Sequence, residues 1–214
     1  MNPDLAEEIE YMINALSKSG FFSTEEILEI LEDEFIGENV DFSQFNISLN
    51  DFDNINFNRL EDVFNSLTSK NIVAIHNCGY DIEEGVNDAF ELFVHLKNNN
   101  YSPEGFCFYT FEDVEEAIED EKLKITFGDF ENNENKALQI GHIVSDALKS
   151  EGFSIVWDET VNCQIELNPF KWDKSFDEDK EYEIEGAYDI FIKNKLSYSI
   201  GISIAYIQKK LYLC

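Results

Sequence analysis

One short stretch of this chain gathers side chains able to do chemistry: His76-Asn77-Cys78-Gly79-Tyr80-Asp81. A cysteine nucleophile needs a histidine base within hydrogen-bond reach and a third polar group to orient that base. Cys78, His142 and Asp158 supply those three types, and they are the weak candidates for a thiol-based catalyst. Nothing in the spacing brings His142 to Cys78, and buried cysteine commonly behaves as a small apolar residue. A core role for Cys78 is therefore the expectation. For binding rather than catalysis the candidates are His76, Asn77, Tyr80 and Asp81, joined by Arg59 and Trp157. Arg59 is the sole arginine of the chain. Because guanidinium stays charged and grips carboxylates bidentately, its expected partner is a structural carboxylate. Trp157 and Trp172 are expected to pack in the core or at its rim.

Metal chemistry finds little footing. His76 and His142 lack the H-x-x-x-H or H-E-x-x-H spacing that puts two imidazoles on one helical face, so no metal and no cofactor is expected. Asp51 and Asp53 imitate the first two ligands of a calcium loop, but Ile55 takes the third position and the turn glycine is missing. The cysteines Cys78, Cys107, Cys163 and Cys214 include no C-x-x-C pair, which leaves neither a zinc knuckle nor a disulfide framework.

The elements that must position these residues are legible from caps and periodicity. Asn2-Pro3 opens a helix with Leu5, Ile9, Met12 and Leu16 at helical spacing up to Gly20, and Ser23 with Glu26 forms the capping box of a second. These predict an N-terminal helical hairpin. Residues 40–56 read as a loop packed by its aromatics, and Phe57 to Leu67 as a third helix. Ile72 to Ile75 is a short β-branched run, the buried strand from which the 76–81 loop emerges, where Gly79 permits close backbone approach. A helix follows with Phe90 and Val94 on its apolar side. Strands are then expected at 105–109 and 123–127, helices at 112–119 and 137–148, and a hairpin pairing 153–157 with 163–167. Residues 173–185 read as an exposed acidic loop, and 188–192 and 196–207 as two closing strands. The order lacks a βαβα rhythm, so the fold class is α+β: an N-terminal helical hairpin followed by a mixed or antiparallel sheet with packed helices. We expect a single α+β domain over 1–214, with an acidic helical subregion at 1–56 and a core at 55–172.

Several of these fragments carry a resemblance. Arg59-Leu60, Ile72-Val73-Ala74, Asn77-x-Gly79-Tyr80, Gly105 to Tyr109 with Asp113, Leu123 to Gly128, Ile140-Gly141-x-Ile143 and Gly152 to Asp158 together resemble an uncharacterised bacterial family known only as a domain of unknown function. The resemblance spans roughly 55–172 and fades after Trp172. It implies a shared fold and carries no reaction.

Charge sets the remaining bounds. The 45 acidic residues outnumber the 15 basic ones, for a net charge of -30 on 214 residues. Nucleic acid is excluded as a partner, since its affinity comes from Lys and Arg neutralising phosphates. Salt adaptation would deplete large apolar side chains, yet 19 Phe and 9 Tyr are present. Neither a basic-then-apolar leader nor a run long enough for about 30 Å of hydrocarbon appears, so no membrane association and a cytoplasmic location are expected. The acids cluster at 25–38, 112–121 and 173–185. If two of these clusters meet on one face, they can steer a basic protein partner; if they are spread evenly, they serve solubility. The first reading is a non-enzymatic interaction domain of immunity or inhibitor type. The alternative is a small enzyme or ligand-binding domain using the His76–Asp81 loop with His142 and Asp158.

Overall fold

The computed structural model describes residues 2–195. Helices α1 (Pro3–Ser19) and α2 (Thr24–Glu34) form the N-terminal hairpin. Asn2 caps the first, accepting from the Asp4 amide, and the Ser23/Glu26 box closes the second in both directions. Gly20 ends α1 with φ 71°, and a Cβ there would lie 2.4 Å from the Lys174 carbonyl oxygen. Only glycine meets both demands. The loop that follows folds Val40, Phe42, Phe45, Ile47 and Leu49 back onto the hairpin, with Phe42 6.4 Å from Phe35.

The remaining elements are α3 (Ile55–Leu67), β1 (Ile72–Ile75), α4 (Ile82–Asn98), β2 (Gly105–Phe108), α5 (Phe111–Asp120), β3 (Leu123–Asp129), α6 (Glu134–Ser150), β4 (Ile155–Val156), β5 (Ile165–Leu167) and a helix α7 over 184–195. The strands form a five-stranded mixed sheet in the order β1-β2-β3-β5-β4. β1 and β2 run parallel, joined by α4, with Ile75 opposite Phe108; the other pairs are antiparallel. Strand alternation sends Ile72, Cys107, Leu123, Ile125, Ile165 and Leu167 to one face, under α3 and α6. Val73, Ile75, Phe106 and Phe108 go to the other, under α4 and α7. The α+β class and the helical hairpin stand as expected.

Three expectations are corrected. On α4 the buried residues are Gly85, Ala89, Leu92 and Leu96, while Phe90 and Val94 are 39% and 52% exposed. Phe90 instead leans edge-on against Phe130 at the rim. Residues 188–192 are helical, part of α7, because Ile184, Ala187, Tyr188, Phe191 and Ile192 fall at helical spacing and turn one stripe inward. The acidic stretch after Trp172 begins inside the core: Asp173 and Lys174 are buried. Asp173 accepts from the Asn56 and Phe57 amides at 2.8 and 2.9 Å and so caps α3 from afar. Lys174 is 1% exposed, donates to the Gly20 carbonyl at 2.5 Å, and lies 4.2 to 5.0 Å from the ring centres of Phe21, Phe57 and Tyr182. Burial lowers its pKa to about 8. The strand expected at 196–207 and the thiol of Cys214 lie outside the described residues.

Candidate functional site

The 76–81 loop leaves the C-terminal end of β1, but its residues part company at once. His76 turns into the core. It is 4% exposed, its ring stacks on Phe64 at 4.5 Å, and its Nδ1 shares a 2.8 Å hydrogen bond with the Tyr109 hydroxyl. Burial first, and then Lys174 and Lys180, lower its pKa to about 3. It is a neutral core histidine that lines neither of the clefts described below, a structural role in place of the binding one expected. Cys78 is 2% exposed and its thiol donates to the Gly85 carbonyl at 3.4 Å. Burial, followed by the Asp88 and Glu183 charges, raises its pKa far from the thiolate range a nucleophile needs. Gly79 takes φ 68°, with the Gly85 amide 2.6 Å from where a Cβ would sit. The close approach expected of it is therefore real. Asp81 caps α4 by accepting from the Glu84 amide at 3.0 Å.

The structure does not assemble the proposed thiol triad. Cys78 packs in the core cluster under α4, whereas His142 sits on the outer side of α6, across the sheet, with its ring 5.2 Å from Trp157. Asp158 is exposed and spends its carboxylate on a turn, accepting from the Thr160 amide and hydroxyl at 3.0 and 2.9 Å. Those two bonds, the hydroxyl's first, hold its pKa below the usual carboxylate range. Trp157 pins the same turn by donating to the Thr160 and Cys163 carbonyls. Arg59 pairs with Glu151, donating to its carbonyl at 2.5 Å, with the guanidinium 4.4 Å above Phe153. The expected carboxylate is present as a 3.8 Å ion pair with Glu151 Oε1, while the short hydrogen bond goes to the backbone carbonyl of the same residue.

What the loop does build is one side of a cleft of about 750 Å³ at the C-terminal ends of the parallel strands β1 and β2. Asn77, Cys78, Gly79 and Tyr80 form that side; α1 and α2 of the hairpin stand opposite, and Phe111 and Glu115 of α5 close one end. The floor is apolar, with Met12, Leu16, Phe22, Ile30, Ile75 and Phe111. The rim is anionic: Glu8, Glu34, Asp88, Glu115, Glu183 and Glu185, with no Lys or Arg among the described lining residues. A second cleft of about 450 Å³ adjoins it, sharing Phe22, Ile30, Asn77 and Glu183 and adding Glu26, Glu29, Asp33, Asp177, Glu178 and Glu181, with Lys180 as its one described cation. All three sequence clusters of acid reach the first cleft, through Glu34, Glu115 and Glu183.

Crowding shows in the protonation equilibria. Burial raises the pKa of Asp88, Glu115 and Glu183, and neighbouring carboxylates raise each further: Glu91 for the first, Glu119 for the second, Glu185 for the third. Tyr11 is pushed up to about 12, by burial first and then by Glu115 and Glu119. Tyr80, stacked on Phe111 at 6.2 Å, is raised by burial and by Glu115, Glu112 and Glu34. Asn77 holds φ 50°, and its amide oxygen is buried with no partner among the described residues. Carboxylates on an apolar floor, with no Lys or Arg among the described lining residues, give a surface suited to a cationic, partly apolar group. No group of three or more His, Cys, Asp or Glu able to hold a metal ion occurs among the described residues.

Of the sequence candidates, Asn77 and Tyr80 reach this cleft and Cys78 backs it. Tyr11, Phe111, Glu34, Glu115 and Glu183 also line it and carry no individual signal in the sequence. Their acidic clusters were visible in the sequence, but their meeting point depends on how the hairpin docks. No helix among the described residues is long and apolar enough to cross a membrane.

No curated protein and no solved structure matches the chain. A family model does, over residues 51–176, slightly beyond the stretch that carries the sequence resemblance and taking in both Asp173 and Lys174. More than half of the chain lies within that match, and the protein belongs to the DUF6891 family, a domain of unknown function.

Proposed function

We propose that this chain is an acidic, non-enzymatic interaction domain that binds a basic protein partner, of the immunity or inhibitor kind, in the cytoplasm of a bacterium. The observation that supports this reading is the convergence of the three acidic clusters on one cleft. Evenly spread charge would serve solubility equally well, whereas charge focused on a concave, apolar-floored surface raises the local concentration of a cationic partner and speeds its association. The enzymatic alternative has no comparable support, since Cys78, His142 and Asp158 share no cavity among those described.

The test is capture of basic proteins on the immobilised chain beside a charge-reversed variant, Glu34→Lys/Glu115→Lys/Glu183→Lys. Partners retained by the native chain at about 50 mM salt should be released at about 500 mM, where the Debye length drops to roughly 4 Å. The variant should retain none of them. Retention indifferent to both salt and charge reversal defeats the proposal.

A further inference from the structure

The mouth of the cleft carries more than charge. Tyr11 and Tyr80 are 50% and 53% exposed there, and Tyr80 lies on Phe111 with an interplanar angle of 27°. Glu115 is felt by both tyrosines and Glu34 by Tyr80, so carboxylates and the aromatic rings face the same space. Carboxylates alone attract any cation, lysine and arginine alike. Aromatic faces beside carboxylates discriminate, because guanidinium is planar, weakly hydrated, stacks on rings and can engage a carboxylate with two parallel hydrogen bonds. Exposed tyrosines over a partly buried apolar floor are also the residue type that dominates binding energy at protein interfaces. We infer that the cleft is a docking groove for an arginine-bearing segment of a basic partner protein, its guanidinium stacked on Tyr80 and paired with Glu115 or Glu34, and its apolar neighbours seated on Met12, Leu16 and Phe22. This rests on the interaction reading above and adds arginine selectivity to it.

Three synthetic peptides test it, identical Leu-Gly-based sequences carrying two arginines, two lysines or two glutamines, titrated by calorimetry at low salt into native protein, Tyr80→Phe and Tyr80→Ala. Tyr80 is half exposed, both variants leave in place the Asp81 cap of α4 and the hydrogen bond from the Tyr80 amide to the Glu84 carboxylate, and their unfolding curves check that the fold is kept. The arginine peptide should bind native protein and Tyr80→Phe about fivefold more tightly than the lysine peptide, because guanidinium adds planar stacking on the ring to the cation–π attraction that both cations share. Tyr80→Ala should lose that preference and leave lysine-peptide affinity within about twofold. Equal binding of the two basic peptides, with salt sensitivity intact, overturns arginine selectivity and leaves the interaction reading standing. Failure of both basic peptides to bind overturns both. Spermidine binding as tightly as the arginine peptide also overturns it, in favour of a small polycation.

Discussion

Acid should unfold this protein through His76, by an amount the structure lets one work out. An unfolded histidine titrates near 6.5, whereas in the fold burial holds His76 at about 3. Between those values the unfolded chain binds one proton that the folded chain refuses, so unfolding free energy falls as pH falls. At about 1.4 kcal/mol per pH unit the limiting slope gives a loss of roughly 2.5 kcal/mol on going from pH 7 to pH 4.5, most of it below pH 6.5. Asp88, Glu115 and Glu183 act oppositely. Their folded pKa values are raised, so protonation favours the fold as pH passes down through them. Native stability alone therefore blends both effects, and the diagnostic quantity is the difference from His76→Gln, which can still bond the Tyr109 hydroxyl but does not titrate. Urea unfolding followed by tryptophan fluorescence at pH 7.0 and 4.5 should show the native chain's advantage over the variant shrinking by about 2.5 kcal/mol. Parallel losses in the two proteins, or a His76 ring proton that titrates above pH 5.5 in the folded state by NMR, would refute the reasoning.

Other consequences are equally concrete. Lys174 is the mirror case at high pH: its folded pKa of about 8 lies below the ordinary lysine value, so stability should rise between pH 8 and about 10.4, and thermal unfolding of Lys174→Met should lack that rise. Asp173→Ala removes the two hydrogen bonds that cap α3, and chemical denaturation should register a loss of about 1 to 3 kcal/mol. In the folded protein iodoacetamide should modify Cys163, which is exposed, while Cys78 and Cys107 react only once the chain is unfolded; peptide mapping that finds Cys78 alkylated under native conditions contradicts its burial.

Local chemistry made much of the fold legible. The caps at Asn2 and Ser23 announced the hairpin, and the β4–β5 pairing followed from two apolar runs across a turn. Two errors share a cause, which is that burial does not require a strongly apolar residue. Gly85 and Ala89 turn the buried face of α4 to the core, and at Gly85 nothing larger fits, since a Cβ there would meet the Phe108 ring at 2.5 Å; the conspicuous Phe90 and Val94 are left outside. Lys174 looked solvated because it follows an aspartate in an acidic run, yet three rings and a carbonyl receive it. In α7 the composition suggested strand, while the spacing of Ala187, Tyr188 and Phe191 already carried the helical period. The cleft was half visible: Asn77 and Tyr80 were marked by their place after a strand, but no local signal says that Tyr11 of α1 and Glu115 of α5 meet in space.

Lys174 also bears on how the cleft behaves mechanically. By reaching the Gly20 carbonyl at the hairpin turn from a segment that also caps α3 through Asp173, it rivets the hairpin to the sheet layer. The hairpin turn, which leads into the helices lining the cleft, is thereby held to the layer that carries the sheet. If the proposed partner docks in this cleft, each tie of this kind lowers the entropy lost in ordering the receptor.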